Sequence, residues 1–550
     1  MLAELDVVVL DCQASGATPQ HGSLLELGWA VTDARGYRAP VEACWVVPPS
    51  GTRVSGPVRE LTGWSEACLS DAVSPEQAWA RVLERVRRAG GTPVPCVIHF
   101  ARFELAFLQD LHRRCGEGSF PLDTVCLHEV ARRLFPELPR RGLRALAGYL
   151  GHSPSLVRRS AGHVDASAFI WRALQPALES AAVRSWQDLK SWVEAKAPPR
   201  ARRTYPFPVE RRRALPPRPG VYRFLRSNGD ILYVGKAASL KKRIASHFTR
   251  GTRPNERALE MLTQVHDVQV TETATVLEAA LLETDEIKRL CPLYNVQLRE
   301  GDRRVWFARA DLDDATAAPD DTHRVGPLPS RWAVSGLAAI RALAGGDDPG
   351  DLRLRAAAVE VPPPFAPEEQ LFRQAWANFR QQHLRQHSSA GPRSHWHALL
   401  RASRRLALTR VADDDGGESS PDEWDLDRVR RHLDRALLRG GQLVRRARWL
   451  VLLSEASVAF REPGRDGFRL LVTDGARIVE RRDLSPDEQV PPRPPPRPWR
   501  LRQQSIDAAA YDRLRVLATE LLRVHVEGGS AMIRIGPRLV GPRGTALLIG

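Results

Sequence analysis

The chain has 550 residues, enough for roughly three or four domains, and its 81 lysines and arginines against 65 aspartates and glutamates give a formal net charge of +16. A basic multidomain chain favours a polyanionic partner, and nucleic acid is the usual one. Seven cysteines without a CxxC pair argue against a disulfide framework and against a cysteine-ligated zinc or iron–sulfur site. Because no apolar run approaches the ~20 residues of a membrane span and the acidic start is not a signal peptide, we expect a cytoplasmic, nucleoid-associated protein.

The first part of the chain alternates strand and helix patterns. Residues 6–16 predict a buried strand that ends at Asp11, and residues 24–31 predict a second strand followed by a turn at 33–36. Residues 94–99 form a third strand pattern that leads into a helix beginning at Ala101, and another helix is predicted after residues 121–124. This alternation indicates an α/β layer structure.

Several spaced motifs give this part a family resemblance. They are LLELG at 24–28, HFARFE at 99–104, LDT at 122–124, RRLFP at 132–136 and VDASA at 164–168. Over residues 5–180 the chain resembles the DEDD 3′–5′ exonucleases of the proofreading type, which implies an RNase H-like α/β fold. That family holds two divalent ions with four carboxylates and uses a histidine as general base. The matching positions here are Asp11, Gln13, Glu104 and Asp165.

The departures from this pattern affect its chemistry. Gln13 is neutral where the family has a carboxylate, so it coordinates a hard cation less well. Glu104 replaces the aspartate of the second motif, which keeps the negative charge on a longer side chain. Ser160 stands where the histidine base is expected, and His163 lies only two residues before Asp165. We therefore predict that residues 1–190 form a degenerate exonuclease-like domain kept for binding or packing. An active exonuclease is the alternative.

Residues 196–219 are rich in proline and arginine. Proline fixes φ and the arginines repel one another, so the pattern predicts a semi-extended linker, placed at residues 191–215 in the domain division. The arginines of this segment are suited to contacting a phosphate backbone, and an ordinary solvated linker is the alternative.

The strongest local signal is a β-hairpin over residues 219–236. Two short apolar runs flank Asn228-Gly229, a pair that tolerates the positive φ of a tight turn. Ser239 then offers a cap for a helix over residues 240–248. On that helix Leu240, Ile244 and Phe248 share one face, and Arg243 and His247 share another.

Five elements in order, PGVY, LYVGK, LKKR, EAALLE and PLYN, cover residues 216–300. They resemble the GIY-YIG nuclease domain found at the N-terminus of the bacterial excision-repair endonuclease. The resemblance implies a small α/β domain that cuts phosphodiester bonds with Mg²⁺ or Mn²⁺. In that family the stretch after the asparagine is acidic, whereas residues 299–303 here read REGDR.

The resemblance also assigns roles. Tyr233 would take the proton from the attacking water and Tyr222 would support it, while Asn295 would orient the site. Two cations would stabilise the phosphate, namely Lys236 and Arg243. His247 stands where the excision-repair proteins commonly carry a tyrosine and other members a histidine, so activity is expected to survive. The metal ligand would be Glu283.

Helical phase bears on Glu283 as well. Residues 275–290 read as one helix with an apolar stripe at Val276, Ala280, Ile287 and Leu290, and Glu283 falls inside that stripe. The other acidic residues of the helix, Glu278, Asp285 and Glu286, fall off the stripe or at its edge. A carboxylate on a core face is costly unless it is paired or binds a metal. A salt bridge from Glu283 to Arg243 is the alternative to a metal.

The rest of the chain is predicted as a mostly helical region at 301–412 and an α+β region at 413–550. The expected helices are 333–344, 372–408 with a break at 391–392, 425–438 and 508–525. The expected strands are 449–460, 467–473, 476–480, 531–535 and 545–549. The segment GPLPSR at 326–331 resembles one found in bacterial fusions of an exonuclease with a GIY-YIG domain. Trp376 and Phe379, among basic residues, suit base stacking or, more simply, a helical core.

These observations predict a metal-dependent DNA endonuclease in excision-type repair, carrying an impaired exonuclease-like domain. The alternatives are a protein in which both nuclease domains cut and a non-catalytic nucleic-acid-binding scaffold. DNA is the expected partner, together with a repair helicase or damage-recognition protein, and neither a membrane nor zinc is expected.

Overall fold

The computed structural model describes residues 1–89, 93–115, 118–153, 158–196, 202–249, 255–295, 304–384, 392–409, 424–485 and 487–542. The predicted strand at 545–549, the acidic sequence DDDGGESSP at 413–421 and the REGDR sequence at 299–303 lie outside the described residues. The chain divides into two compact units, one of residues 1–274 with 292–295 and the other of 275–291 with 296–550. The finer five-part domain division stays a prediction.

The first unit begins with a five-stranded mixed sheet flanked by helices. Its strands are β1 (Val7–Ala14), β2 (Leu24–Thr32), β3 (Tyr37–Trp45), β4 (Val94–Ile98) and β5 (Leu122–Cys126). Its helices are α1 (Gly56–Thr62), α2 (Pro75–Ala89), α3 (Ala101–Cys115), α4 (Leu127–Leu134), α5 (Leu143–Tyr149), α6 (Ser160–Ser180) and α7 (Trp186–Glu194). The strand order is β3-β2-β1-β4-β5, with β1 parallel to β4 and antiparallel to β2. This mixed α/β sheet confirms the predicted layer structure and is consistent with the RNase H-like fold.

Alternation along β1 explains why both faces of this sheet are covered. Val7 and Val9 pack with α6 and α4, whereas Val8 and Leu10 pack with α2 and α3. The strand does not end at Asp11 as predicted but continues to Ala14, because residues 11–13 pair with β2. Residues 122–126 also form a strand before the next helix, which the sequence did not indicate.

The second part of the first unit is a small three-stranded sheet with helices. Its elements are α8 (Val209–Arg213), β6 (Gly220–Leu225), β7 (Ile231–Ala237), α9 (Leu240–Phe248), α10 (Glu256–Gln264) and β8 (Asp267–Glu272). The order is β7-β6-β8, antiparallel throughout. The predicted hairpin, its Asn228-Gly229 turn and the apolar face of α9 are confirmed, since Leu240, Ile244 and Phe248 are buried.

The predicted linker is partly wrong, because its later residues belong to the core of this small domain. Phe207 is buried there, with Tyr205 and Leu215 packed against the same cluster. The two parts of the first unit also pack on each other. α5 lies against α10, and the Tyr149 and His266 rings stack with centroids 5.4 Å apart.

The second unit contains α11 (Val276–Leu290), a helical region and a five-stranded antiparallel sheet. Its other helices are α12 (Ser335–Gly345), α13 (Leu352–Ala358), α14 (Glu369–His383), α15 (Pro392–Thr409), α16 (Leu426–Leu453), α17 (Trp499–Gln504) and α18 (Ala508–Val526). Its strands are β9 (Trp306–Ala308), β10 (Ala315–Thr316), β11 (Val325–Leu328), β12 (Ser457–Arg461), β13 (Arg469–Asp474), β14 (Arg477–Asp483), β15 (Ser530–Ile535) and β16 (Arg538–Val540). The large sheet has the order β14-β13-β12-β15-β16.

The structure corrects one strand prediction for this unit and decides between two interpretations of its aromatic residues. Residues 449–453 are not strand but the last turn and a half of α16, and only residues 457–461 are extended. Trp376 and Phe379 are buried in the helical core, which confirms the simpler interpretation over base stacking. Within the described ranges, no helix is both long and apolar enough to cross a membrane.

Candidate active site

The hairpin of β6 and β7 brings two tyrosines onto one face of the small sheet. Tyr222 pairs with Gly235, and Phe224 pairs with Tyr233. A Cβ at position 235 would lie 2.5 Å from Tyr222 Oη and 2.7 Å from Tyr233 Cε1. Glycine is therefore required at this position, because both phenol rings lie across its backbone.

Tyr222, Tyr233 and His247 form one aromatic cluster. Tyr222 is fully buried, and its hydroxyl lies 2.7 Å from His247 Nε2. The ring centroids of the two tyrosines are 6.0 Å apart, and those of Tyr233 and His247 are 6.1 Å apart. Tyr233 is only half-buried, so of the two phenols it is the one that solvent reaches.

The protonation state of His247 follows from its surroundings. Burial, followed by the neighbouring Arg243 guanidinium, lowers the pKa of His247 to about 4. The ring is therefore neutral at physiological pH, and Nε2 can accept a hydrogen bond from the Tyr222 hydroxyl. The hydrogen bond holds Tyr222 in place without adding positive charge inside the cluster.

The pH dependence of stability tests this neutral ring. Since the folded-state pKa of about 4 lies below the ordinary 6.5, the unfolded chain binds a proton between these values that the folded chain does not. The contribution of the neutral His247 ring to the free energy of unfolding is fully present above pH 6.5 and is lost as the pH falls towards 4. We expect the thermal midpoint of wild type to fall more between about pH 7.5 and about pH 5 than that of His247→Gln. The variant of the exposed His21, His21→Gln, should follow wild type, and equal losses in wild type and His247→Gln would contradict the neutral ring.

The two cations predicted to contact phosphate differ in exposure. Arg243 is exposed on α9, whose first turn is capped by the Ser239 side chain. Lys236 is half-buried at the end of β7, directly after Gly235. Both residues therefore belong to the elements that carry the aromatic cluster.

Asn295 acts on the backbone of β7. Its Oδ1 accepts from Val234 N–H at 3.0 Å, and its Nδ2 donates to Val234 O at 2.9 Å. The amide thus replaces a neighbouring strand at the residue that follows Tyr233. Asn295 therefore holds the backbone of the residue next to Tyr233, and its role in the site stays a prediction.

Glu283 lies in the second unit, half-buried on α11. The acidic residues predicted to lie off the core face of α11 are more buried than expected. Glu278 is buried and pairs with Arg469 at 2.9 Å, and Glu286 is also buried. Of the predicted apolar stripe, Ala280 and Ile287 are buried, and Leu277 and Leu281 also join the core around α18. A single half-buried carboxylate suits Mg²⁺, which is usually bound through one or two carboxylates together with substrate phosphates. The assignment of the metal to Glu283 stays a prediction.

The exonuclease-like residues form a second cluster in the first unit. Asp11 and Gln13 lie on the α6 side of β1, and all three of Asp11, Gln13 and Glu104 are buried. Glu104 accepts the Cys12 N–H at 3.1 Å. Burial, with the nearby Asp11 carboxylate, raises the pKa of Glu104 well above its ordinary range.

Asp11 and Gln13 each have one polar atom in contact with another group, whereas Asp11 Oδ2 and Gln13 Oε1 are buried without a hydrogen-bond partner among the described residues. His163 Nδ1 lies 2.9 Å from Asp11 Oδ1, and Gln13 Nε2 donates to Arg158 O at 2.5 Å. Asp165 does not join the other three, since it accepts from the Tyr37 hydroxyl at 2.5 Å and lies 3.4 Å from His152 Nε2. Across the described part of the chain, no group of three or more His, Cys, Asp or Glu side chains is arranged to hold a metal.

Ser160, at the position expected for the base, lies where α6 packs closely on β2. Ser160 is fully buried, and a Cβ on Gly28 would lie 2.9 Å from Ser160 Cβ. The helix α6 therefore approaches β2 so closely that position 28 has no room for a side chain. The sequence showed the substitution at 160 but not that His163 turns to Asp11, because helix orientation depends on packing against the sheet.

Comparisons with known proteins identify a GIY-YIG region within this chain. Residues 218–296 match the family model of the UvrC-like GIY-YIG domain. A UvrABC system protein C from Alkalilimnicola ehrlichii is 46% identical over 129 residues, which are 22% of this chain and 21% of that protein. A Mycobacterium tuberculosis protein named as a bifunctional exonuclease/endonuclease protein is 28% identical over 362 residues, which are 62% of this chain and 53% of that protein.

Two solved structures are also similar. The N-terminal endonuclease domain of UvrC from Thermotoga maritima, bound to magnesium, is 29% identical, with 16% of this chain and 93% of that chain covered and a TM-score of 0.15. The nuclease domain of 3′hExo, a DEDDh family member, is 16% identical, with 33% and 95% covered and a TM-score of 0.27. Scores this low do not establish a shared overall structure.

The chain spans about a fifth of the UvrC relative and about half of the bifunctional one. Its GIY-YIG region nevertheless matches by sequence pattern, and the first unit places an exonuclease-like sheet directly before it. Residues 218–296 therefore match a UvrC-like GIY-YIG domain, and a larger part of the chain is similar to a protein named as a bifunctional exonuclease/endonuclease.

Proposed function

We propose that the protein is a metal-dependent endonuclease that hydrolyses DNA phosphodiester bonds through its GIY-YIG domain, in a process like nucleotide excision repair. The observation that carries this proposal is the cluster of Tyr222, Tyr233 and His247 packed over Gly235. A scaffold that only bound nucleic acid would not need two phenols held against a glycine, one of them open to solvent.

Each step of hydrolysis has a candidate residue. The half-buried Tyr233, in its phenolate form, is the group that takes a proton from the attacking water, and the phenol so formed can pass that proton to the leaving oxygen or to solvent. Tyr222, held by His247, fixes the aromatic face behind it, and Asn295 fixes the strand that carries it. The exposed Arg243 offers a planar fork to the phosphate oxygens, and Lys236 adds a second positive charge.

The domain also requires a divalent cation, for which Glu283 is the proposed ligand. Bound Mg²⁺ or Mn²⁺ would supply positive charge where negative charge builds on the phosphate. The chain's own cations share that task, and Glu283 is the last residue of the EAALLE sequence that carries the resemblance.

We further propose that the exonuclease-like domain does not cut. Asp11 is engaged by His163, Gln13 by a backbone carbonyl, and Asp165 by Tyr37 and His152. These four side chains do not fit the two cations that the exonuclease reaction needs, because they are not directed towards one common site. The domain would then serve to bind or position the nucleic acid.

The exonuclease proposal predicts no mononucleotide release from a labelled 3′ end in the presence of Mg²⁺ or Mn²⁺. Asp11→Asn should consequently leave the product pattern of wild type unchanged, because Asp11 is already paired with His163. Denaturing gel electrophoresis of 3′-labelled single- and double-stranded DNA is the measurement. Mononucleotide release that disappears in Asp11→Asn would establish an active exonuclease instead.

The test of the endonuclease proposal is nicking of supercoiled plasmid and of DNA carrying a bulky lesion, with Mg²⁺ or Mn²⁺. Nicking of either substrate by wild type, lost on chelation of the cation, supports the proposal. A repair helicase or a damage-recognition protein is the partner proposed for the lesion substrate. Binding without nicking on both substrates, with such partners present, would favour the scaffold.

A further inference from the structure

A cleft of about 570 Å³ lies in the first unit where its two parts meet. It is lined by Phe100, two residues after the end of β4, by the segment before α5 and by the first turns of α10. Because β1 and β4 are parallel with Leu10 opposite Ile98, Asp11 and the end of β4 lie at the same edge of the sheet. The cleft therefore opens beside the exonuclease-like cluster and leads to the GIY-YIG domain.

The charge of this cleft is predominantly positive. Two glutamates line it, Glu256 and Glu260, against five arginines. The arginines are Arg140, Arg141, Arg144, Arg203 and Arg257. Such an excess of guanidinium groups in one concave site suits phosphate oxygens, which the planar fork can contact through two donors.

Several of these guanidinium groups are already held in place. Arg140 pairs with Glu256, and Arg144 pairs with Glu260 at 3.3 Å. Arg141 donates from Nε to Phe135 O at 2.8 Å. Exposed ion pairs of this kind are weak, so a phosphate can compete with the Glu256 carboxylate, which is 77% exposed.

The cleft also contains an exposed aromatic residue in an unusual conformation. Phe100 has a φ of 63°, which is unfavourable for a bulky side chain. Its side chain is 49% exposed, and its ring stacks on His128 with centroids 4.5 Å apart and planes 25° apart. A strained backbone that presents an aromatic face to solvent needs a reason other than core packing.

We propose that this cleft binds a segment of single-stranded nucleic acid, with phosphates at the arginines and a base stacked on Phe100. Base stacking on an aromatic ring tolerates any base, and a basic groove beside it follows the backbone. The cleft would lead a strand from the exonuclease-like domain towards the GIY-YIG domain. Binding does not require cleavage, so the inference stands apart from the proposed endonuclease.

The experiment measures fluorescence anisotropy of labelled oligothymidylate and oligouridylate of about 20 nucleotides with the full chain in EDTA. Phe100→Ala is expected to weaken binding about tenfold, because one stacking contact is lost. Phe103→Ala is the matched control, since Phe103 is also partly exposed but does not line the cleft. Stronger binding of oligothymidylate or of oligouridylate would identify the strand as DNA or RNA, respectively. Binding of either one supports the proposal.

Charge variants provide a second measurement, in which two substitutions are expected to change the binding affinity in opposite directions. Arg203→Gln should weaken binding and lower the slope of log K against log salt by about one, measured between about 50 mM and about 200 mM NaCl. Arg202→Gln, the exposed neighbour outside the cleft, should not. Glu256→Gln should tighten binding, because it frees Arg140 and removes a negative charge. A merely structural role would not produce this gain.

The proposal is overturned if Phe100→Ala binds as tightly as Phe103→Ala, or if Arg203→Gln and Glu256→Gln both bind like wild type. Since these measurements use EDTA, failure of nicking leaves them interpretable, and failure here leaves the endonuclease proposal untouched.

Discussion

Glu283→Gln is expected to abolish cation-dependent nicking of supercoiled DNA, with a fall in rate of about 10²–10³-fold or more. Glutamine keeps the shape and volume of the side chain but removes the charge that a hard cation requires. Because Glu283 is only half-buried on α11 and glutamine is isosteric with it, we expect the variant to fold like wild type. The measurement is the rate of conversion of supercoiled to nicked plasmid at saturating Mg²⁺ or Mn²⁺.

The same helix offers a matched control. Asp285 lies two residues further on and pairs with Arg513 at 2.8 Å, so Asp285→Asn makes the same change in charge without touching the proposed ligand. We expect Asp285→Asn to nick DNA at close to the wild-type rate with a somewhat lower thermal midpoint. If Glu283→Gln nicks as fast as Asp285→Asn, the metal is held elsewhere and the proposed role of Glu283 is wrong.

Local patterns in the sequence were sufficient for the hairpin and for α9. Asn228-Gly229 specifies a tight turn by its own conformational preferences, and Gly229 indeed has a φ of 90°. The spacing of Leu240, Ile244 and Phe248 defines a buried face within nine residues. Such features depend on neighbours in the chain, so they could be predicted without the tertiary structure.

Features that depend on distant packing could not be predicted in this way. The run Trp449–Leu453 resembles a strand, but it continues a 28-residue amphipathic helix, and a short apolar run does not distinguish the two. Helical phase puts Glu278 off the core face or at its edge, yet it is buried because Arg469 on β13 lies beside it. No local pattern indicates that partner, which is 191 residues away in the chain.

The exonuclease-like cluster shows the same limit at a candidate site. The sequence revealed that Gln13 and Ser160 depart from the family pattern. It did not reveal that Asp165 turns towards Tyr37 and His152 while His163 faces Asp11. Residues 163 and 165 lie on different sides of α6, and the close contact of Ser160 with Gly28 fixes which side meets the sheet.

Tyr233→Phe is expected to lower the nicking rate by about 10²–10⁴-fold, the range for loss of a general base. The hydroxyl is the only group removed, so the ring stays packed over Gly235 and beside Tyr222, and the thermal midpoint should change little. Binding of uncut DNA in EDTA should also be unchanged. Loss of rate without loss of binding or stability is the combination that assigns chemistry, rather than packing, to this hydroxyl.

Two other tyrosines separate this role from a general effect of removing a phenol. Tyr222→Phe deletes the hydrogen bond to His247 inside the buried cluster, so we expect a lower thermal midpoint together with a smaller loss of rate. Tyr205 packs on Phe248 with ring centroids 5.2 Å apart, away from the cluster, and Tyr205→Phe should nick like wild type. If Tyr233→Phe retains the wild-type rate while Tyr222→Phe is inactive, the two roles are exchanged, and the buried phenol, despite its lack of exposure, is the one that takes the proton.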